Sequence, residues 1–530
     1  MVFTLHRYIF RELLRVFILA GTALTIMLSL TMMLRPIQEY GVAPEQAVHL
    51  FGYFIPITLT FVLPMAAIFA AALIYGRFAS DNELDACRAS GISMWTLIYP
   101  GLILAIAISM ASLVLSFHVV PAFVQRAEKS MKDNAKNLLF RNIERKGYCE
   151  LPDSSYKLYA DNAVPQKDLL QGVVVAETTQ TGINRLVTAG SAKILIDDSR
   201  DRITVVATDY YQIDDFGQEA YTGRLPISSP FPSLMEDDIK FQKVERLKQI
   251  RSDMMKFSPV RELALQARGY LAIQLLAEQA NAVMNGPTAD QFQLENASSI
   301  IYFTADKLNP RSDYKVDIEG PIHAYEIDKA TRSLVCIYES PAGMLQLRDE
   351  SLDATMDMLL ENPTWDRGEG LTGIADSEAF RDLVLPDSIT QKLSRNNLLQ
   401  QIPQVTTSLE SEPTQALKGI LYHLDKEIWS TRKAILSEIH SRLVLGIGCI
   451  VIVLISIALG IKFRGGHILS AFGASAIPAG ALVIFIMSGK ELTKTKNEAM
   501  PEQTGILVMW AGLVILMIFA FRLYRKLLKT

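Results

Sequence analysis

The stretch Gly76 to Met94, GRFASDNELDACRASGISM, concentrates charge that its neighbours lack: Arg77, Asp81, Glu83, Asp85 and Arg88 stand between two apolar runs free of Asp, Glu, Lys and Arg. Helix formers predominate over the Gly, Ser and Pro of an ordinary loop, and Gly91 suits the left-handed residue that closes a helix. The pattern predicts a short helical elbow with Asn82, Leu84, Asp85 and Arg88 on one solvated side. The chemistry on offer is recognition, an acidic helix matched by basic or hydrogen-bonding groups on a soluble partner; the plainer reading is a polar connector between two spans. Residues for making and breaking bonds are missing. Gly489-Lys490 has Ile484 where a phosphate loop needs glycine and Glu491 where it needs Ser or Thr. The seven histidines form no His-x-x-x-His pair, and no Gly-x-Ser-x-Gly elbow occurs. No catalysis, metal site or cofactor is expected within the chain.

The elements that hold the elbow are membrane spans. In 530 residues, 50% apolar and 20% charged, the apolar excess falls into six runs: Val16 to Leu34, Leu50 to Tyr75, Trp95 to Val124, Leu443 to Ile461, Ile468 to Gly489 and Thr504 to Phe521. About 20 apolar residues cross the hydrocarbon core, and Pro56 and Pro64 are tolerated there where neighbouring helices restore the freed hydrogen bonds. The first run lacks the small-residue cleavage site of a signal peptide, so it reads as a helix that stays.

Orientation follows from the basic residues of the short segments. The segments on the elbow's side, both termini included, hold eleven Lys and Arg, whereas the opposite short loops hold four, Arg35, Lys490, Lys494 and Lys496. The positive-inside bias therefore places both termini and the elbow in the cytoplasm and residues 125–441 outside it. That middle region carries 36 basic against 47 acidic residues, the remainder 16 against 9, so no basic face for nucleic acid is present. Tyr156 to Ala160, Gly172 to Glu177, Leu186 to Asp197 and Arg202 to Ile213 read as strands of an antiparallel sandwich or open barrel. A helix at Pro259 to Met284 precedes further strands at Tyr314 to Ile318, His323 to Ile327 and Ser333 to Tyr338. Leu417, Leu421, Leu424, Ile428, Ile435 and Ile439 form a helical stripe running into the fourth span. Cys149 and Cys336 are the only two cysteines placed to pair outside; they are expected to remain packed thiols.

Three spans, an outside β region, three more spans, the elbow DNELDACRASGIS and a helix entering the fourth span as Glu438-Ile439-His440-Ser441-Arg442 together resemble the LptF/LptG (YjgP/YjgQ) permease family of the lipopolysaccharide export ABC transporter. The likeness covers roughly residues 1–215 and 415–530. It implies a membrane α-helical fold of three plus three spans with an inserted periplasmic β-jellyroll-like domain plus helices. The expected division is 1–124 with the coupling helix at 76–94, 125–441 with a helical and β insertion near 216–400 that enlarges the domain beyond the family's, and 442–530.

The resemblance further implies an inner-membrane subunit with no enzymatic activity of its own. It pairs with a second permease of the family as a hetero- or homodimer, binds a cytoplasmic ABC ATPase dimer, and passes lipopolysaccharide or another envelope lipid to a periplasmic bridge protein. ATPase coupling then falls to Asp81, Glu83, Asp85, Arg88 and Gly91. Arg35, at the outer end of the first span, matches basic residues that meet lipid phosphates, with simple snorkelling as the alternative. Gly473, Pro478 and Gly480 in the fifth span are gate candidates, with close helix packing as the alternative. Glu438 and Arg442 match the family's pattern at the start of the fourth span, or form a local helix pair worth a few tenths of a kcal/mol. The rival classes are an ABC permease of the mechanotransmitting type, which would carry its outside domain after the first span, and a polytopic scaffold or sensor without an ATPase partner.

The orientation is directly testable: reporter fusions at Asp85 and at the C-terminus should read cytoplasmic and one at Asp198 periplasmic. A cytoplasmic signal at Asp198 overturns the architecture.

Overall fold

In a computed structural model, residues 2–40, 44–133, 135–150, 156–179, 182–197, 202–214, 217–230, 239–286, 290–311, 314–347, 355–368, 370–394, 397–463, 468–494 and 503–529 are described. Lipid offers a backbone no hydrogen-bond partners, so the apolar runs fold as helices. These are α1 (Val2–Tyr40), α2 (Pro44–Ser80), the short α3 (Glu83–Ala89) and α4 (Met94–Val114), which passes through a π-helical turn at Leu115–Val119 into α5 (Val120–Asp133). Helix α6 (Ala135–Lys146) then leads to a β region. Among the described residues, six helical segments are long and apolar enough to cross a membrane, three on each side of the β region.

Strands β1 (Tyr148–Glu150), β2 (Tyr156–Val164), β3 (Leu169–Thr179), β4 (Gly182–Asp197), β5 (Arg202–Asp214) and β6 (Gly217–Pro230) pair antiparallel in the order of the sequence. Alternation buries one face: Leu158, Val173, Val175, Val187, Ile194 and Val205 form a core with Leu139, Phe140 and Ile143 of α6. The expected strands are all present, extended by a few residues, and β6 joins them. This sheet is a meander in which every spatial neighbour is a sequence neighbour.

A second β unit follows. After α7 (Val244–Ser252) and α8 (Ser258–Met284) come β7 (Phe292–Glu295), β8 (Ser299–Thr304), β9 (Lys307–Pro310), β10 (Lys315–Glu319), β11 (Ile322–Asp328), β12 (Leu334–Ser340), β13 (Ala342–Leu347), β14 (Thr355–Glu361), β15 (Thr364–Asp366), β16 (Thr372–Ile374) and β17 (Ser377–Val384). They form a separate eleven-stranded sheet in the order β16-β15-β12-β11-β8-β7-β17-β14-β13-β10-β9. The later strands therefore build a sheet of their own around α8, and do not complete the first. Helices α9 (Asp387–Lys392) and α10 (Leu398–Thr407) close this core.

Helix α11 (Gln415–Lys462) is one unbroken element of 48 residues, about 72 Å at 1.5 Å per residue. Leu417, Leu424 and Ile435 of its apolar stripe are buried in the core of the second β unit, and Leu421, Ile428 and Ile439 pack against it. The stripe is thus a packing face, and the other half of the helix lies at the centre of the spans. Helices α12 (Ile468–Lys494) and α13 (Thr504–Lys529) complete the bundle.

Between spans, small residues and isolated polar bonds set the approach, since apolar side chains gain little by leaving lipid. Ser29 and Thr58 hydrogen-bond at 2.9 Å between α1 and α2. Ser109 donates to the Gly446 carbonyl at 2.7 Å, Tyr75 to that of Leu97 at 3.0 Å, and Tyr524 to that of Leu454 at 2.9 Å. Helices α2 and α11 meet backbone to backbone at Gly76 and Gly460. A methyl group on Gly460 would stand 2.9 Å from the Ala72 carbonyl oxygen, whereas one on Gly76 would clear its nearest neighbour by 3.7 Å. Gly460→Ala should therefore cost about 1–3 kcal/mol through overpacking, read as a lowered thermal midpoint in detergent, while Gly76→Ala leaves that midpoint unchanged. Equal midpoints for the two variants would contradict this crossing.

Candidate functional site

Two polar constellations stand at opposite ends of the bundle. At one end, α2 stops at Ser80, and Asn82 takes a left-handed φ of 58° that turns the chain into α3. Gly91, at φ +80°, closes α3: its N–H donates to Arg88 O at 2.9 Å and that of Ile92 to Cys87 O at 3.1 Å, the paired bonds of a Schellman motif. Ser93 then caps α4 by accepting from the Thr96 N–H. The expected elbow is present with one correction. Leu84 does not share the solvated side: it is only 4% exposed and packs in the core of the spans, because a seven-residue helix is held to the bundle by its one large apolar side chain. The outward side consists of Glu83, Ala86, Arg88 and Ala89, with Asp81 and Asn82 exposed before it, while Asp85 is half-buried; Asp85 and Arg88 border a cleft.

Contacts around the elbow limit its freedom. Arg77 pairs with Glu12 of α1 at 3.3 Å, His6 bonds the Thr96 carbonyl at 2.9 Å, and Trp95 stacks on Tyr524 of α13 with ring centroids 5.9 Å apart.

At the other end, where α11 passes from the second β unit into the spans, three charges meet. Arg442 Nε donates to Glu438 Oε1 at 3.0 Å, one helical turn away, and Lys490 of α12 donates to Glu438 Oε2 at 2.5 Å. Arg442 Nη2 also donates to the carbonyls of Lys240, at 2.8 Å, and Gln242, at 3.2 Å, in the segment leading into α7. The Arg442 and Glu438 side chains are 3% and 9% exposed, that of Lys490 27%. Arg442 Nη1 is buried without a hydrogen-bond partner among the described residues, and the guanidinium lies 5.6 Å from the ring centre of Phe117, within the π-helical turn. Nearby, His440 accepts from the Trp510 indole at 3.4 Å.

Glu438 and Arg442 are therefore more than a local helix pair: they join α11 to α12 and to the backbone that leads into the second β unit. Lys490 and the Lys240 and Gln242 carbonyls were not legible as their partners. The one available signal was a lysine directly beyond the apolar fifth run. Among the described residues nothing lies within 4 Å of where a side chain would begin at Gly473 or Gly480, so close packing against those residues does not explain them, whereas Pro478 is buried. Arg35 lies in α1, and its side chain is outside the described residues. All four cysteines are free thiols, and among the described residues no three His, Cys, Asp or Glu side chains gather in metal-binding geometry.

Two triplets of spans around an antiparallel β insertion, with a helical elbow between the second and third spans, define a polytopic membrane protein with a large inserted β region. The family model described as lipopolysaccharide export system permease LptF/LptG matches residues 7–526, and the chain belongs to that family. No curated protein sequence matches it.

The ion cluster has a checkable energetic consequence. Removing the Glu438 carboxylate leaves two cations facing each other in a largely buried site, so Glu438→Ala should destabilise the protein by about 3–5 kcal/mol. Arg442→Lys keeps the charge but loses the planar fork that reaches carboxylate and carbonyls together. It should quicken proteolysis in the segment before α7 while lowering the thermal midpoint less than Glu438→Ala. A Glu438→Ala protein as stable as the parent would show the cluster to be energetically idle.

Proposed function

We propose that this chain is one permease half of an ABC transporter that lifts lipopolysaccharide or a related envelope lipid out of the inner membrane. The reading is supported by family membership over nearly the whole chain and, among observations on the molecule itself, it is carried by the elbow. Helix α3 is anchored inward by Leu84 and closed at both ends by left-handed residues, so Glu83 projects on a rigid support. A soluble ATPase dimer docking there would feel its movements directly in α2 and α4. ATP hydrolysis belongs to that separate chain.

In this reading both termini and the elbow are cytoplasmic, and both sheets are periplasmic. Helices α1 and α12 are the least covered spans, with 17% and 22% of their apolar windows buried against 72% for α11. That leaves them to a second permease of the family and to lipid passing between the two. Arg35 then stands at the outer end of α1, where a guanidinium can grip a lipid phosphate through two parallel hydrogen bonds. Gly473 and Gly480 lie on the open side of α12, where a small residue lets a neighbouring helix or an acyl chain come close. The six-stranded sheet receives the lipid and passes it to a periplasmic bridge protein.

The test acts on Glu83. Placing a cation where a basic partner groove is expected sets like charges together at a cost of several kcal/mol. Glu83→Lys should abolish copurification of the ATPase and lipid export at an unchanged level of membrane-inserted protein, and Glu83→Gln should give an intermediate loss. Normal transport by Glu83→Lys would make Glu83 a solvated loop residue.

A further inference from the structure

Beside the elbow's outward face lies a cleft of about 280 Å³, to which the elbow contributes Leu84 and two of its coupling candidates, Asp85 and Arg88. Its apolar walls include Leu84, Met94 and Leu523, and its charged lining consists of Asp85, Arg88, Lys462 and Lys526. Three cations against one carboxylate leave the cleft positive. The cations come from three elements separate in sequence, Arg88 from α3, Lys462 from the last turn of α11 and Lys526 from the last turns of α13, so only the tertiary fold assembles them.

We propose that this cleft binds the phosphate headgroup of an anionic phospholipid from the adjacent leaflet. The ends of four spans, α2, α4, α11 and α13, meet there, so the cations stand at the depth of lipid headgroups, and cations at that depth attract anionic lipid. A phosphodiester takes parallel hydrogen bonds from a guanidinium and point-charge bonds from ammonium groups. The apolar walls suit the glycerol and the first carbons of the chains, which a free inorganic anion lacks. The volume is near the lower end for ligand sites, so the headgroup enters and the acyl chains stay in the bilayer. A phosphate held by Arg88, Lys462 and Lys526 would join the elbow to α11 and α13, and the lipid at that leaflet would set how firmly the elbow is braced. Only this consequence, and the naming of the leaflet as cytoplasmic, rest on the proposed function; the binding does not.

The full-length chain, purified in mild detergent without an ATPase, is compared by native mass spectrometry after exchange against phosphatidylglycerol or phosphatidylcholine. The expected result is retention of phosphatidylglycerol over phosphatidylcholine, reduced on the order of tenfold in the double variant Lys462→Gln, Lys526→Gln. The control double variant Arg522→Gln, Arg525→Gln removes the same charge at the same end outside the cleft and should retain the lipid. If the glutamine pair fails to elute as a folded species, Lys462→Arg with Lys526→Arg replaces it and should retain phosphatidylglycerol. Equal loss in both double variants, unchanged retention in the cleft variant, or displacement of the lipid by millimolar inorganic phosphate would each overturn the proposal. So would a cleft variant that keeps the lipid but no longer copurifies with the ATPase, which would make the cleft a protein contact. Because binding is read without the ATPase, a failure of docking at Glu83 leaves this result standing.

Discussion

The Glu438 carboxylate, held between Arg442 and Lys490, lies where α11 changes solvent. On one side of it the helix packs its stripe into the second β unit, and on the other it runs through the middle of the spans. A helix end at that boundary would leave unsatisfied carbonyls and N–H groups close to lipid, so an unbroken helix is the economical crossing. The ions that mark the boundary are then inside the protein. They are tolerable because each finds opposite charge or a backbone carbonyl, and the arrangement secures α12 and the approach to α7 with the same groups. Span, sheet and connection are thereby fixed relative to one another at a single turn of helix.

The two ends of the bundle divide the work by rigidity. At the elbow, hydrogen bonds and stacked rings tie α1, α2, α4 and α13 around a seven-residue helix that cannot tilt without moving Leu84 out of the core. At the sheet end, the connection runs through one long helix and a clasp on two carbonyls. Between the two ends, α2 and α11 cross at Gly76 and Gly460, where neither residue has a side chain to hold the backbones apart.

What could be read from sequence was what one solvent dictates locally. Hydrocarbon demands long apolar runs, and all six were legible; a helix stop demands a left-handed residue, and Gly91 was legible; the stripe of α11 showed because a single face repeats over about six turns. Leu84 was misplaced because a short helix gives too few residues for its inner face to be told from its outer one. Lys490 was missed because its partner lies 52 residues away and no periodicity links them. Much of the eleven-stranded sheet was hidden for a related reason. Strand β14 is buried at five consecutive positions, Met356 to Leu360, so it lacks the alternation that betrays a strand, and β15 and β16 have three residues each.

The π-helical turn at Leu115–Val119 is also a matter of counting. It holds one residue more than the α-helical turn it replaces, so everything after it is rotated by about 100° relative to an uninterrupted helix. The face that α5 presents is therefore set by that surplus residue, as is the heading with which the chain departs for the first sheet. Gaining or losing a single residue here would keep the same spans and the same strands yet attach them at a different phase, so the length of this turn shapes the molecule as much as the identity of any side chain in it.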